Sequence, residues 1–282
     1  MKAIVRHRVG VIFGPVGDLN EIATSFLLLQ LNTQQSAIEF ELLPPPPDDP
    51  LWPLLESRHP VERSVAEECA ASFVTRYEQF WSRLLKRSLA SEQVPPRIIV
   101  VSMARFADNL YSTTLDGLSI LALGNWKRYM APPSLVEFVI FLVLRLAMGL
   151  IEPRLREWQH LGTKGCLWDY NPYLSDARYK ILVGYVCSDC HTAMEQGPLA
   201  RLLPSLPALL SKAWFGKRDD PQATAAIAAK LGYDLFTTAG AKPTFRETLV
   251  SVLSQDGVKE LLKWISALVL AATLVWLGLK SP

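Results

Sequence analysis

Runs of apolar residues divide this chain into strands and helices. VGVIF, from Val9 to Phe13, is a short continuous apolar run and reads as a buried strand. Asp18 stands where a helix N-cap belongs, with Ile22, Phe26 and Leu29 at helical spacing behind it. Ala37 to Leu43 alternates through Ile38, Phe40 and Leu42, the period of a second strand. Pro44 to Pro53, PPPPDDPLWP, can be neither helix nor inner strand and is expected as a surface loop or extended spacer. Val61 to Leu89 carries Val65, Cys69, Phe73, Tyr77 and Trp81 at steps of four, one face of a long helix on which Cys69 is a small core residue. RIIVVS (Arg97 to Ser102) and LSILAL (Leu118 to Leu123) are further buried strands, and the stretch between them reads as a loop.

Ser134 then opens SLVEFVIFLVLRLAMGLI, a helix apolar nearly all round and so expected at the centre of the domain. Glu137 and Arg145 interrupt it, and two ionisable side chains with flanking strands argue against a membrane span. A buried Glu137 needs a partner, either Arg145 or a backbone donor. Gly197 to Phe215 predicts short helices, Asp220-Pro221 starts another that Gly232 stops, and Thr244 with Glu247 forms a capping-box signature.

The end of the chain differs. Trp264 to Leu279, WISALVLAATLVWLGL, is uncharged, with Lys259 and Lys263 before it and Lys280 after it. At about 1.5 Å per residue it reaches roughly 24 Å, slightly short of a hydrocarbon core of about 30 Å. Snorkelling lysines and tryptophans near both ends favour a short C-terminal membrane anchor, and the lysine asymmetry places the bulk of the chain in the cytoplasm. The alternatives are a buried terminal helix or a helix packed on copies of itself, which would make a homo-oligomer.

Composition removes several functions. A net charge of +2 over 282 residues, with no dense Lys/Arg cluster, argues against nucleic acid. The basic N-terminus has only VGVIF as its apolar run and no cleavage site behind it, so a first strand is expected in place of a secretion signal. GPVGDLN lacks the Lys-Ser/Thr of a phosphate-cradling loop. There is no G-x-S-x-G elbow, and His7, His59 and His191 have no nucleophile at an informative spacing.

Metal chemistry concentrates in one place. His160, Cys166, Cys187 and Cys190 form an H-x5-C-x20-C-x2-C series holding three of the four cysteines. In a reducing compartment the closing pair favours metal over a disulfide, and four such ligands fit a closed tetrahedral zinc site that folds a segment without catalysing. His191, directly after Cys190, is the alternative fourth ligand, disfavoured by strain between adjacent ligands. Asp169 could orient a ligating histidine or simply make a turn.

The order of RIIVVSMARFADNLY, LDGLSILALGNW, the helix from Ser134, GCLWDY and CSDC resembles the archaemetzincin branch of the zinc metalloproteases. That resemblance, over about a third of the chain, implies a second, structural zinc site. Cys166 matches the cysteine of the Cys-Val-Met segment, with Leu167 and Trp168 in place of Val-Met. Cys187 and Cys190 match the closing pair, and His160 stands in for the first structural cysteine. The catalytic motif HExxHxxGxxH is absent. Aligned on Glu137, the ligand positions hold Val136, Ile140 and Leu146, with Val143 for the glycine.

The expectation is therefore an α+β body over residues 1–195, with the zincin-like mixed sheet and central buried helix that the resemblance implies. A helical accessory segment or stalk follows at 196–258 and a transmembrane anchor at 259–282. Its function is read as a non-catalytic, membrane-tethered interaction or effector protein that binds a protein or peptide partner. A C-terminal anchor joined to a degenerate enzyme resembles bacterial antiviral conflict systems. The alternatives are an active metallopeptidase with non-standard ligands, such as His160, or a membrane-disrupting effector whose C-terminal helices oligomerise.

Overall fold

In the computed structural model, which describes residues 6–88, 93–157, 159–252 and 258–276, the chain opens with β1 (His7–Phe13), α1 (Glu21–Gln34) and β2 (Ile38–Leu42). Next come α2 (Leu51–Leu55), α3 (Arg63–Ala70) and α4 (Phe73–Ser88), followed by β3 (Ile98–Ser102), β4 (Ser112–Leu115) and β5 (Leu118–Ala122). The strands form a five-stranded sheet in the order β2-β1-β3-β5-β4, parallel except for β4, which runs antiparallel to β5 at one edge.

Both faces of this sheet are covered, which explains the continuous apolar strands. Val9, Val11, Ile99, Val101 and Leu121 face one core, while Ile12, Ile98, Val100, Leu118 and Ile120 face the other. Helices α2 to α4 cover the second face with Trp52, Phe73 and Tyr77. The first face receives α1 and α5 (Leu135–Ile151). Strands and helices interleave, so the architecture is mixed α/β where α+β was expected, and it has the mixed sheet and the buried central helix that were expected.

Several local readings change. The cap of α1 is Asn20, not Asp18: its Oδ1 accepts from Ala23 N at 2.9 Å and its Nδ2 donates to Leu231 O at 3.0 Å. The buried stripe is accordingly Ala23, Leu27, Leu28 and Leu31, and Ile22 and Leu29 are exposed. The proline stretch contains the start of α2. The helix expected from Val61 to Leu89 is broken after Ala70, where Arg76 reaches back to Cys69 O at 3.2 Å and to both Asp49 carboxylate oxygens at 2.8 Å; Leu89 lies outside the described residues. The supposed loop before Leu118 contains β4, joined to β5 by Asp116-Gly117, with Gly117 at φ +69°. That Asp-Gly pair between alternating residues is a two-residue hairpin signal.

After α5 come α6 (Arg154–Glu157), α7 (Leu174–Val183), α8 (Ser188–Glu195), α9 (Leu206–Leu210), α10 (Thr224–Lys230) and α11 (Phe245–Val252). Leu199, Leu206, Leu209, Ala225, Ala228 and Tyr233 join the core around α5, so the chain from Leu199 to Leu235 packs on the body. The capping box at α11 is present, with Thr244 N donating to Glu247 Oε2 at 2.7 Å and Glu247 N to Thr244 Oγ1 at 3.2 Å.

The membrane anchor finds no support among the described residues. The last helix, α12 (Val258–Trp276), takes Lys259, Glu260 and Lys263 into its first turns, and among the described residues no helix is long and apolar enough to cross a membrane. Its uncharged part, Trp264 to Trp276, extends only about 20 Å against a hydrocarbon core of about 30 Å; Leu277 to Leu279 lie outside the described residues. Nor is it a buried core helix, since Trp264, Ile265, Leu268, Val269 and Leu270 are exposed.

Candidate metal centre and adjoining cleft

Three backbone devices bring distant residues to one point. His160 N donates to Trp168 O at 3.2 Å and Tyr170 N to His160 O at 2.7 Å, laying the His160 segment beside the Cys166 loop. Gly184, left-handed at φ +60°, ends α7 and turns the chain so that Leu167 N reaches Tyr185 O at 2.8 Å. Cys187 is then the N-cap of α8, with Cys190 in its first turn.

His160, Cys166, Cys187 and Cys190 consequently form a cluster whose ligand atoms all lie within 4.8 Å of one another. His160 Nε2 is 2.9 Å from Cys187 Sγ and 3.3 Å from Cys190 Sγ, and Cys166 and Cys190 sulfurs are 4.0 Å apart. Bonds of about 2.3 Å to sulfur and about 2.0–2.1 Å to nitrogen in a tetrahedron put neighbouring donors roughly 3.5–3.8 Å apart. The donor set suits one zinc ion, and the observed separations lie on either side of that spacing. The three cysteines are buried and His160 is half-buried. His191 is exposed and outside the cluster. The hydrogen bond from Cys190, helped by the backbone N–H groups of Cys187 and Trp168, holds the Cys166 thiol down to about 5; the same bond pushes Cys190 up.

Asp169 does not orient His160 through its side chain. Its Oδ2 accepts from Lys164 N and Gly165 N at 2.7 Å and Cys166 N at 3.1 Å, pinning the loop that presents Cys166. Its carbonyl accepts from the buried Lys180 Nζ at 2.5 Å, which also donates to Tyr111 Oη at 3.1 Å. Burial, and then the charge of Arg145, hold Lys180 well below the ordinary lysine range. The folded chain therefore binds fewer protons than the unfolded one up to the ordinary value of about 10.4, and this group's contribution to stability grows as pH rises through that window. Denaturant midpoints between neutral and alkaline pH should rise less steeply for Lys180→Met than for the parent.

Glu137 is a capping residue. Its Oε2 accepts from Ser134 N at 2.7 Å, Glu137 N donates to Ser134 Oγ at 3.3 Å, and its other oxygen pairs with Lys212 at 2.8 Å. A backbone donor and Lys212 satisfy it, and Arg145 does not. Val136, Ile140 and Val143 are fully buried, and Leu146 is nearly so, so the aligned positions of α5 offer no metal ligand.

Beside the cluster lies a cleft of about 450 Å³ between β4, α5 and α6. Thr113 and Thr114 line one wall, and Arg145, Arg156, Tyr170 and Asn171 the other. Sequence reasoning missed this feature. Its available signal was Arg145, a charge in an otherwise apolar helix.

No family model matches this chain, and no curated protein matches it. Among solved structures it is similar to the crystal structure of a zinc-dependent peptidase from Methanocorpusculum labreanum (strain Z), at 13% identity and a TM-score of 0.38, covering 66% of this chain and 99% of that one. At that level of likeness the fold and the site stand on their own geometry.

Proposed function

We propose that this protein is a non-catalytic binding protein whose body is stapled by a structural zinc at His160, Cys166, Cys187 and Cys190, and whose cleft receives an extended peptide or protein segment. The observation that carries this reading is the closed donor set. Four protein ligands leave no position for water or substrate, and α5 supplies no second set. Bound there, zinc would hold the loop and the start of α8 together; His160 would be a structural ligand and not a catalytic one. The free edge of β4 beside the cleft suits an extended segment, which can add to a sheet edge through main-chain hydrogen bonds. Among the described residues no helix is long and apolar enough to cross a membrane, so the layout that suggested a bacterial defence effector, or a membrane-disrupting one, has less support.

The test is a random peptide library incubated with full-length protein, with and without chelator. Peptides should be retained uncleaved, and Glu137→Gln, which keeps a capping amide and loses only a partly exposed ion pair, should change stability by no more than about 1 kcal/mol and retention not at all. Chelator-sensitive cleavage lost in Glu137→Gln contradicts the reading.

A further inference from the structure

Arg145 is nine-tenths buried, yet the hydrogen bond it makes is from Nε to Leu167 O at 3.0 Å, and among the described residues no carboxylate pairs with it. A guanidinium has five donors, and burying one without an anionic partner is costly. Arg156 lines the same cleft. A Cβ on Gly149, one turn after Arg145 on the same face of α5, would lie 3.1 Å from Arg156 Cγ, so the absence of a side chain there lets the Arg156 stem rest on the helix. Arg156 Nε is itself buried with no partner.

The acids at the cleft do not answer this charge. Glu67 is taken by Arg63 at 2.7 Å and by the Thr113 hydroxyl, and Glu157 is exposed. In the same cleft the Oδ1 of Asn171, a residue only 5% exposed, has no donor. The cleft thus holds surplus fork-shaped cationic donors next to one unused acceptor. A peptide carboxylate with its neighbouring N–H matches both needs, whereas a phosphate leaves the acceptor empty. The edge strand adds a place for the rest of such a ligand. Tyr111 O accepts from Ala122 N at 2.8 Å, and antiparallel alternation then turns the backbone groups of Ser112 and Thr114 away from β5.

We infer that Arg145 and Arg156 clamp a carboxylate of the bound peptide, with Asn171 accepting the adjacent N–H and β4 pairing with its backbone; this rests on the peptide-binding reading above. The experiment is retention of a synthetic library in which every sequence is present both as C-terminal acid and as C-terminal amide, read by mass spectrometry on full-length protein. Acids should be enriched over their amides by about tenfold or more. Enrichment of internal Asp or Glu regardless of the terminus also supports the clamp and assigns the carboxylate to a side chain. Arg145→Gln should abolish the preference. Arg156→Gln, a half-buried position with little folding risk, should weaken it without changing zinc content. Equal retention of acids and amides with no acidic preference overturns the clamp and leaves peptide binding standing; retention of no peptide overturns both.

Discussion

Cys187→Ser is expected to yield a chain without zinc that has lost most of its stability. In the folded state Cys187 Sγ sits 2.9 Å from His160 Nε2, and the residue stands at the N-cap position of α8 with no side-chain cap bond, its sulfur near those of Cys190 and Cys166. Structural zinc contributes on the order of 10–16 kcal/mol of apparent binding free energy, and binding at such a site is folding energy. Against a domain stability of about 5–15 kcal/mol, losing a ligand leaves little margin. Thermal unfolding by circular dichroism, with and without chelator, checks this. Chelator should lower the parent's midpoint and leave the variant's unchanged, whereas equal midpoints for parent and variant contradict it.

Trp168→Ala should cost about 3–5 kcal/mol, the range for deleting a large buried aromatic. Trp168 is 1% exposed, joins the core around α5, and lies between Cys166 and Asp169 while lining the cleft. Its carbonyl accepts from His160 N, so loosening it disturbs both the cluster and the cleft wall. Urea unfolding should show the loss in the midpoint, and Trp168→Phe should recover part of it. An alanine variant within about 1 kcal/mol of the parent would mean that the loop, and not this side chain, carries the local packing.

The strands β1, β3 and β5 and the helix α5 were legible because burial all round writes continuous apolar runs into the sequence, and the edge strand β2 was legible through its alternation. That His160, Cys166, Cys187 and Cys190 come together was legible through soft donors at a recognised spacing, even though the turns at Gly184 and Asp169 that assemble them leave only weak marks. Other features depend on competition that a single segment does not reveal. Asn20 outcompetes Asp18 as a cap because it also ties α1 to Leu231, and Arg76 folds back on Cys69 O and Asp49 where one periodic stripe suggested an unbroken helix. At Trp264 to Leu279 the described part of the run ends at Trp276, in a helix that starts at Val258 and takes in three charges, and no described helix is long and apolar enough to cross a membrane. The cleft was illegible because Arg145, Arg156 and Asn171 meet only once α5, α6 and the Cys166 loop are folded together.

The most direct test of the central claim is zinc X-ray absorption on full-length protein together with metal content per chain. The account predicts one zinc per chain, four-coordinate, with three sulfur ligands and one nitrogen, and a spectrum unchanged by added peptide. A chain without zinc, or a zinc with oxygen in its coordination sphere that responds to peptide, contradicts it.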